Sequence, residues 1–211
     1  ASNSAQFGIS YQEGVTLARA EGLPIVSIAA VIQENTSGFG SLKSKNIVSP
    51  KDFENKKYGG WGSPIEVATI KKLMDKYGAD FSTVEIVTIG DMDFFAASEM
   101  NEIDFAWIFE GWTKVEASLK EKELNYISLG EEDEVFNYYT PVIITNEDNI
   151  SMNEELVKKF MKATIDGYEY AIENPKLAAD IFTKQVPELD FELVKRSQIF
   201  LSDKYKGDAD K

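Results

Sequence analysis

The chain has 211 residues, 43% of them hydrophobic, so it is long enough to bury a core in one large domain or two small lobes. Its 36 acidic and 22 basic residues give a net charge of −14, which makes nucleic acid and anionic membrane surfaces poor partners. It contains neither Cys nor His, which excludes disulfides, thiol catalysis, Ser-His triads and the common zinc sites. No apolar run is long enough to span a membrane, and no signal peptide is recognised.

Short apolar runs alternate with segments of helical periodicity in the first two thirds of the chain. The predicted strands are 6–10, 25–32, 57–61, 84–89, 105–109, 125–129 and 142–145. The predicted helices between them are 15–21, a short one from Pro50, one from Pro64 to Gly78, 93–100 and 113–123. This alternation predicts an α/β fold with mostly parallel sheets, and the run 25–32 is expected to be buried on both faces.

Three further segments complete the prediction. Residues 33–46 are polar and glycine-rich, which indicates a crossover between lobes or the rim of a cleft. Residues 130–134 are predicted to be an acidic surface loop. From Ser151 the pattern is helical, with an apolar stripe through 156–172 and two more amphipathic helices at 175–184 and 190–201.

Aromatic residues stand at the ends of several predicted strands, where open α/β sheets place their ligand sites. The candidate ligand-binding residues are Tyr11, Trp61, Gly62, Ser63, Trp107, Phe109, Glu110, Trp112, Tyr138 and Tyr139. Stacking aromatics with a few polar groups are typical of a small-molecule cleft. Three of these residues also have a structural explanation: Ser63 begins a capping box, Trp107 lies mid-strand, and Glu110 fits a solvated turn.

The same residues favour binding over catalysis. The sequence shows no nucleophile–base pair, no metal cluster and no phosphate-binding glycine motif, so no cofactor and no metal are predicted. Its only arginines are Arg19 and Arg196, so bidentate clamps for anions are scarce. Glu110 would accept hydrogen bonds from a ligand, which indicates a planar, uncharged, nitrogen-rich molecule.

Five motifs in order resemble one family. They are FGISYQ at 7–12, QENTSGF at 33–39, YGGWGSP at 58–64, DFAWIFEGW at 104–112 and YYTP at 138–141. Together they are similar to the NMT1/THI5-like substrate-binding proteins of bacterial ABC importers, in particular the ThiY-type members that deliver formylaminopyrimidine. The resemblance covers nearly the whole chain.

The resemblance implies a two-lobed type II periplasmic-binding-protein fold with a ligand cleft between the lobes. Lobe 1 would comprise residues 1–36 and 140–211, and lobe 2 residues 37–139, with Tyr11 on the lobe opposite the other aromatic candidates. The family's N-terminal strand–helix–strand unit is expected to be missing, and its last helix, past Tyr205, to be short or absent.

The resemblance also implies a function outside the cytoplasm. The expected partners are a thiamine-precursor pyrimidine, either formylaminopyrimidine or hydroxymethylpyrimidine, and an ABC transporter permease. Contact with the membrane would come only through a lipid anchor outside this chain.

Two alternatives remain within the same superfamily. One is a pyrimidine synthase, which uses a histidine of its own chain, pyridoxal phosphate, a cysteine-rich motif and iron. The other is a binding protein for nitrate, sulfonates or taurine, whose anionic ligands favour Arg or Lys in the cleft.

Overall fold

A computed structural model describes residues 5–90 and 92–206, and the chain divides into two compact units. Unit 1 holds the chain up to Asn35 and again from Asn137, and unit 2 is Thr36–Phe136. The strands are β1 (Gly8–Ser10), β2 (Ile25–Ala30), β3 (Ser37–Leu42), β4 (Lys57–Gly60), β5 (Glu85–Thr88), β6 (Phe105–Phe109), β7 (Leu124–Ser128) and β8 (Val142–Asn146). The helices are α1 (Gln12–Ala20), α2 (Pro64–Lys76), α3 (Phe94–Glu99), α4 (Val115–Leu119), α5 (Leu129–Glu132), α6 (Glu147–Met152), α7 (Glu154–Glu173), α8 (Pro175–Gln185) and α9 (Phe191–Ser202).

The sheet of unit 1 is antiparallel, so the prediction of mostly parallel sheets was wrong here. Its order is β1-β8-β2, with Gly8 opposite Ile144 and Ile25 opposite Asn146. The reason is the chain path: β8 follows the return of the chain from unit 2 and runs between two strands that point the other way. β2 is only partly buried, whereas a strand buried on both faces was predicted.

The helical end of the chain packs on this sheet. The Phe7 and Phe160 rings stack with centroids 3.8 Å apart, and the buried residues Val31, Ile32 and Ile143 contact α7 and the residues after it. The predicted apolar stripe of α7 therefore meets unit 1's sheet through Phe160 and Tyr168, whereas Leu156 and Ile165 of the same stripe are exposed.

The sheet of unit 2 is mixed, in the order β5-β4-β6-β3-β7. β4 is parallel to both β5 and β6, while β3 is antiparallel to both β6 and β7. One face carries packed aromatic rings: Phe39, Phe53, Tyr58, Phe105 and Trp107. The other face is aliphatic, with Ala97, Ile103, Ala106 and Ile108 at its centre.

Residues 33–46 were predicted as a polar crossover between lobes or a cleft rim. The chain does pass from one unit to the other at Asn35–Thr36, but the rest of this prediction was wrong. Within these residues β3 is a buried strand between β6 and β7. A Cβ on Gly38 would lie 2.2 Å from the Ile127 carbonyl oxygen, and one on Gly40 would lie 2.2 Å from Ile108 Cδ1. The glycines thus mark close packing of neighbouring strands rather than a loop.

Other boundaries differ locally. α1 begins at Gln12, three residues before its predicted start, and α5 occupies the predicted acidic loop. The helix predicted at 113–123 is present but shorter: a π-helical turn, Glu110–Lys114, leads into α4, which ends at Leu119. By contrast, the Ser63 capping box and the end of α2 before Gly78 are confirmed.

Candidate functional site

The strand register of unit 2 gathers several predicted site residues at one edge of its sheet. Tyr58 pairs with Phe105 in parallel, so β4 ends at the level of Trp107, two residues before the end of β6. Trp61 directly follows β4, and Phe109 ends β6 opposite Ser37 of β3. This is the carboxyl edge of the parallel strands, the usual place for a ligand in such sheets.

Two tryptophans form an aromatic surface at this edge. The rings of Trp61 and Trp107 lie 5.7 Å apart between centroids, with their planes at 61°. Trp61 is 50% exposed, whereas Trp107 is 9% exposed and also packs edge-on against Phe39. The indole Nε1 of Trp107 is buried and finds no acceptor within the described part of the chain. Phe109 and Trp112 are exposed nearby in sequence.

A buried carboxylate shapes the loop that carries Trp61. Glu66 is 1% exposed and accepts hydrogen bonds from Tyr58 Oη at 2.6 Å, Trp61 N at 3.1 Å and Ser63 N at 2.7 Å. Gly62 has φ +90°, a conformation that favours glycine. Because the backbone N–H groups of Trp61 and Ser63 already have Glu66 as their acceptor, the exposed Trp61 ring is the part of the loop open to a ligand. A direct role for Gly62 and Ser63 stays a prediction.

Glu110 has a partner that was not predicted from the sequence. Its Oε1 lies 3.0 Å from Lys114 Nζ, across the π-helical turn. The same ammonium lies 4.2 Å from the centre of the Tyr126 ring, and Tyr126 Oη donates to the Thr36 carbonyl at 3.4 Å. Burial, and then the charge of Glu110, raises the pKa of Tyr126. The i, i+4 spacing of Glu110 and Lys114 was a readable signal for this pair.

The other three candidates lie together in unit 1. Tyr11 precedes α1, and Tyr139 N donates to Gln12 Oε1 at 3.1 Å. Tyr138 and Tyr139 therefore belong beside Tyr11, and their predicted assignment to the opposite lobe was wrong. The reason is the antiparallel pairing of β1 with β8, which puts the end of one strand next to the start of the other. Tyr11 and Tyr139 are exposed, and Tyr138 is half-buried.

Glu13 joins these tyrosines and was missed from the sequence. Burial raises the pKa of its carboxyl above the ordinary value, opposed by a hydrogen bond with its own backbone. Burial, and then the charge of Glu13, raises the pKa of Tyr138. The predicted helix begins only at residue 15, so nothing in the sequence distinguished this carboxylate from the other acidic residues.

Seven candidates thus belong to unit 2 and three to unit 1, and the predicted cleft between lobes stays a prediction. A separate depression of about 200 Å³ lies in unit 1, and it is lined by residues such as Ala29, Ile143, Met161 and Tyr168. None of the ten candidates lines it.

Among residues 5–90 and 92–206, no three or more acidic side chains are placed to hold a metal ion. No helix in those ranges combines the length and apolarity needed to cross a membrane.

Comparison with known proteins supports one family. A family model described as NMT1/THI5 like matches residues 1–178. The formylaminopyrimidine-binding protein of Halalkalibacterium halodurans is 26% identical over 206 residues, which are 92% of this chain and 59% of that protein. The 4-amino-5-hydroxymethyl-2-methylpyrimidine phosphate synthase of Legionella pneumophila is 26% identical over 200 residues, 92% of this chain and 61% of that protein. The chain therefore spans about three fifths of the length of these relatives.

A solved structure shares the fold. The periplasmic aliphatic sulphonate binding protein SsuA from Escherichia coli superposes with a TM-score of 0.70 at 13% identity, covering 91% of this chain and 61% of that one. At this identity the likeness concerns the fold alone. The predicted periplasmic-binding-protein fold is confirmed, with mixed and antiparallel sheets in place of mostly parallel ones.

Proposed function

Because this chain belongs to the NMT1/THI5-like family, we propose that it is the ligand-binding component of an ABC importer. It acts outside the cytoplasm and delivers its ligand to a membrane permease. The ligand is a thiamine-precursor pyrimidine, formylaminopyrimidine or hydroxymethylpyrimidine. The relative named as a formylaminopyrimidine-binding protein supports this choice.

The observation that carries the proposal is the pair of tryptophans at the edge of unit 2's sheet. Trp61 leaves half of its surface exposed while its ring is held against Trp107. An exposed ring held in a fixed orientation suits stacking on a planar heterocycle. Such stacking is worth about 1–3 kcal/mol per base in nucleic-acid complexes, and a pyrimidine offers the same kind of face.

Binding without chemistry fits the residues better than synthesis does, although one relative is named as a synthase. The synthase chemistry implied by the resemblance needs a histidine of the chain and a cysteine-rich motif. These 211 residues contain neither His nor Cys.

An anionic ligand is the rival within the same fold. Lys114 is a cation at the edge of unit 2, but its charge is balanced by Glu110 at 3.0 Å. A sulfonate would have to separate this pair or bind elsewhere, whereas a neutral pyrimidine faces no such cost.

Calorimetry with formylaminopyrimidine, hydroxymethylpyrimidine, thiamine and taurine tests the proposal. We expect one of the first two to bind most tightly, and Trp61→Ala to weaken it by about 1–3 kcal/mol. Tyr77→Ala is the matched control, because Tyr77 is an exposed aromatic at the far end of α2, roughly 20 Å away at 1.5 Å per residue. Tight binding of taurine alone, or full affinity in Trp61→Ala, would refute the proposal.

A further inference from the structure

One carboxylate in unit 1 lacks the hydrogen bonds that its burial calls for. The Oε2 atom of Glu13 is buried, and no donor reaches it from the residues that the structure describes. A buried charged oxygen without a donor is unfavourable, because it has lost water and gained nothing in return. The raised pKa of Glu13 is the electrostatic expression of that cost.

Helix geometry alone does not account for this burial. Glu13 lies in the first turn of α1, where a negative charge is favourable next to the helix N-terminus. That interaction operates equally well with an exposed carboxylate. Glu66 at the first turn of α2 shows the contrast, because each of its buried oxygens accepts at least one hydrogen bond.

Three tyrosines lie in the neighbourhood of Glu13. Tyr11 precedes it with an exposed ring, and Tyr139 is held next to Gln12 by a hydrogen bond of 3.1 Å. Tyr138 is half-buried and close enough to respond to the charge of Glu13. An acceptor among aromatic rings is the combination that recognises a flat molecule with N–H groups.

We propose that Glu13 binds the N–H donors of the ligand through Oε2. The inference rests on the proposed function and identifies a contact for the amino group of an aminopyrimidine. A charge-assisted hydrogen bond there replaces the interaction with water that burial removed. Glu110 is the weaker choice for this contact, because Lys114 already pairs with it.

Glu13→Gln tests the contact, since it keeps the shape of the side chain and removes its charge. We expect formylaminopyrimidine to bind roughly 10- to 150-fold more weakly to this variant, the range for a hydrogen bond to a charged group. An analogue of the ligand without the ring amino group should bind wild type and variant within about threefold of each other. Glu147→Gln is the matched control, because Glu147 is an exposed carboxylate of the same unit paired with Arg19.

The outcomes separate this inference from the proposed function. Wild type that binds no pyrimidine overturns both. Wild type that binds formylaminopyrimidine, with a Glu13→Gln variant of equal affinity, overturns the role of Glu13 and leaves the proposed function standing. Thermal unfolding checks the fold: the variant should unfold at the same or a higher temperature, because an unpaired buried charge is gone. Weaker binding together with a lower unfolding temperature would assign Glu13 a structural role instead.

Discussion

Replacing Glu66 with glutamine should destabilise unit 2, because three donors converge on this buried carboxylate. Its Oε1 accepts from Tyr58 Oη and Trp61 N, and its Oε2 accepts from Ser63 N. A glutamine offers one oxygen and one NH₂ group. If the NH₂ replaces Oε2 it faces the N–H of Ser63, and if it replaces Oε1 it faces that of Trp61.

Either orientation leaves one backbone N–H without its acceptor. An unsatisfied buried donor costs about 1–3 kcal/mol, and the remaining bonds lose their charge assistance. We therefore expect Glu66→Gln to lower the free energy of unfolding of unit 2 by about 2–4 kcal/mol.

Tryptophan fluorescence during urea unfolding measures this loss in the right unit. All three tryptophans of the chain, Trp61, Trp107 and Trp112, lie in unit 2. The control is Glu99→Gln, the same substitution at an exposed carboxylate paired with Lys122, which should change stability by about 0.5 kcal/mol or less. If Glu66→Gln costs no more than Glu99→Gln, the three hydrogen bonds do not hold the loop as described.

Gly38→Ala should destabilise unit 2 by roughly 1–3 kcal/mol or more in the same fluorescence assay, because the new Cβ would lie 2.2 Å from the Ile127 carbonyl oxygen. Gly167→Ala should raise the stability of unit 1 by about 0.5–1 kcal/mol, measured by circular dichroism, because Gly167 is in a helix and its new Cβ would meet nothing within 4 Å. Equal effects of the Gly38 and Gly167 substitutions would contradict the packing of β3. A raised pKa in the folded state stabilises the protonated form of Glu13, so its contribution is present below the ordinary carboxyl pKa and is lost as pH rises through the folded value. The Glu13→Gln variant should therefore unfold at the same temperature as wild type at about pH 4 and at a higher temperature at about pH 7. Tyr138 stays protonated over this range, because its pKa is raised. A difference in unfolding temperature that does not depend on pH would count against burial of the Glu13 carboxyl.

Segments with strong local signals could be predicted from the sequence. Ser63 and Pro64 define the start of α2, and Gly78 follows its end, because capping is decided within a few residues of the terminus. The bounds of β6 match the predicted strand at 105–109, because a short run of apolar residues is typical of a buried strand, although Phe109 at its end is exposed. The family was recognisable for the same reason, since its motifs are short and contiguous.

The candidate site was predictable only in part. The sequence placed Trp61, Phe109 and Glu110 at or just after strand ends, and the register of β4 and β6 brings those ends within two residues of each other. Glu110 was predicted from the sequence to contact a ligand, although its i, i+4 spacing to Lys114 pointed to an internal ion pair. Glu13 was passed over, because one acidic residue in a helical first turn looks like any other until its burial is known.

The other features of the fold and of the candidate site were decided by contacts between residues far apart in the chain. β3 contains two glycines and little apolar surface, so its identity as a strand depends on the close approach of β6 and β7. Likewise, Tyr139 lies beside Gln12 because β8 returns between β1 and β2, which no local pattern encodes. Local preferences are set by neighbours within a turn of chain, whereas strand direction, burial and partner choice are set by which distant segments pack together.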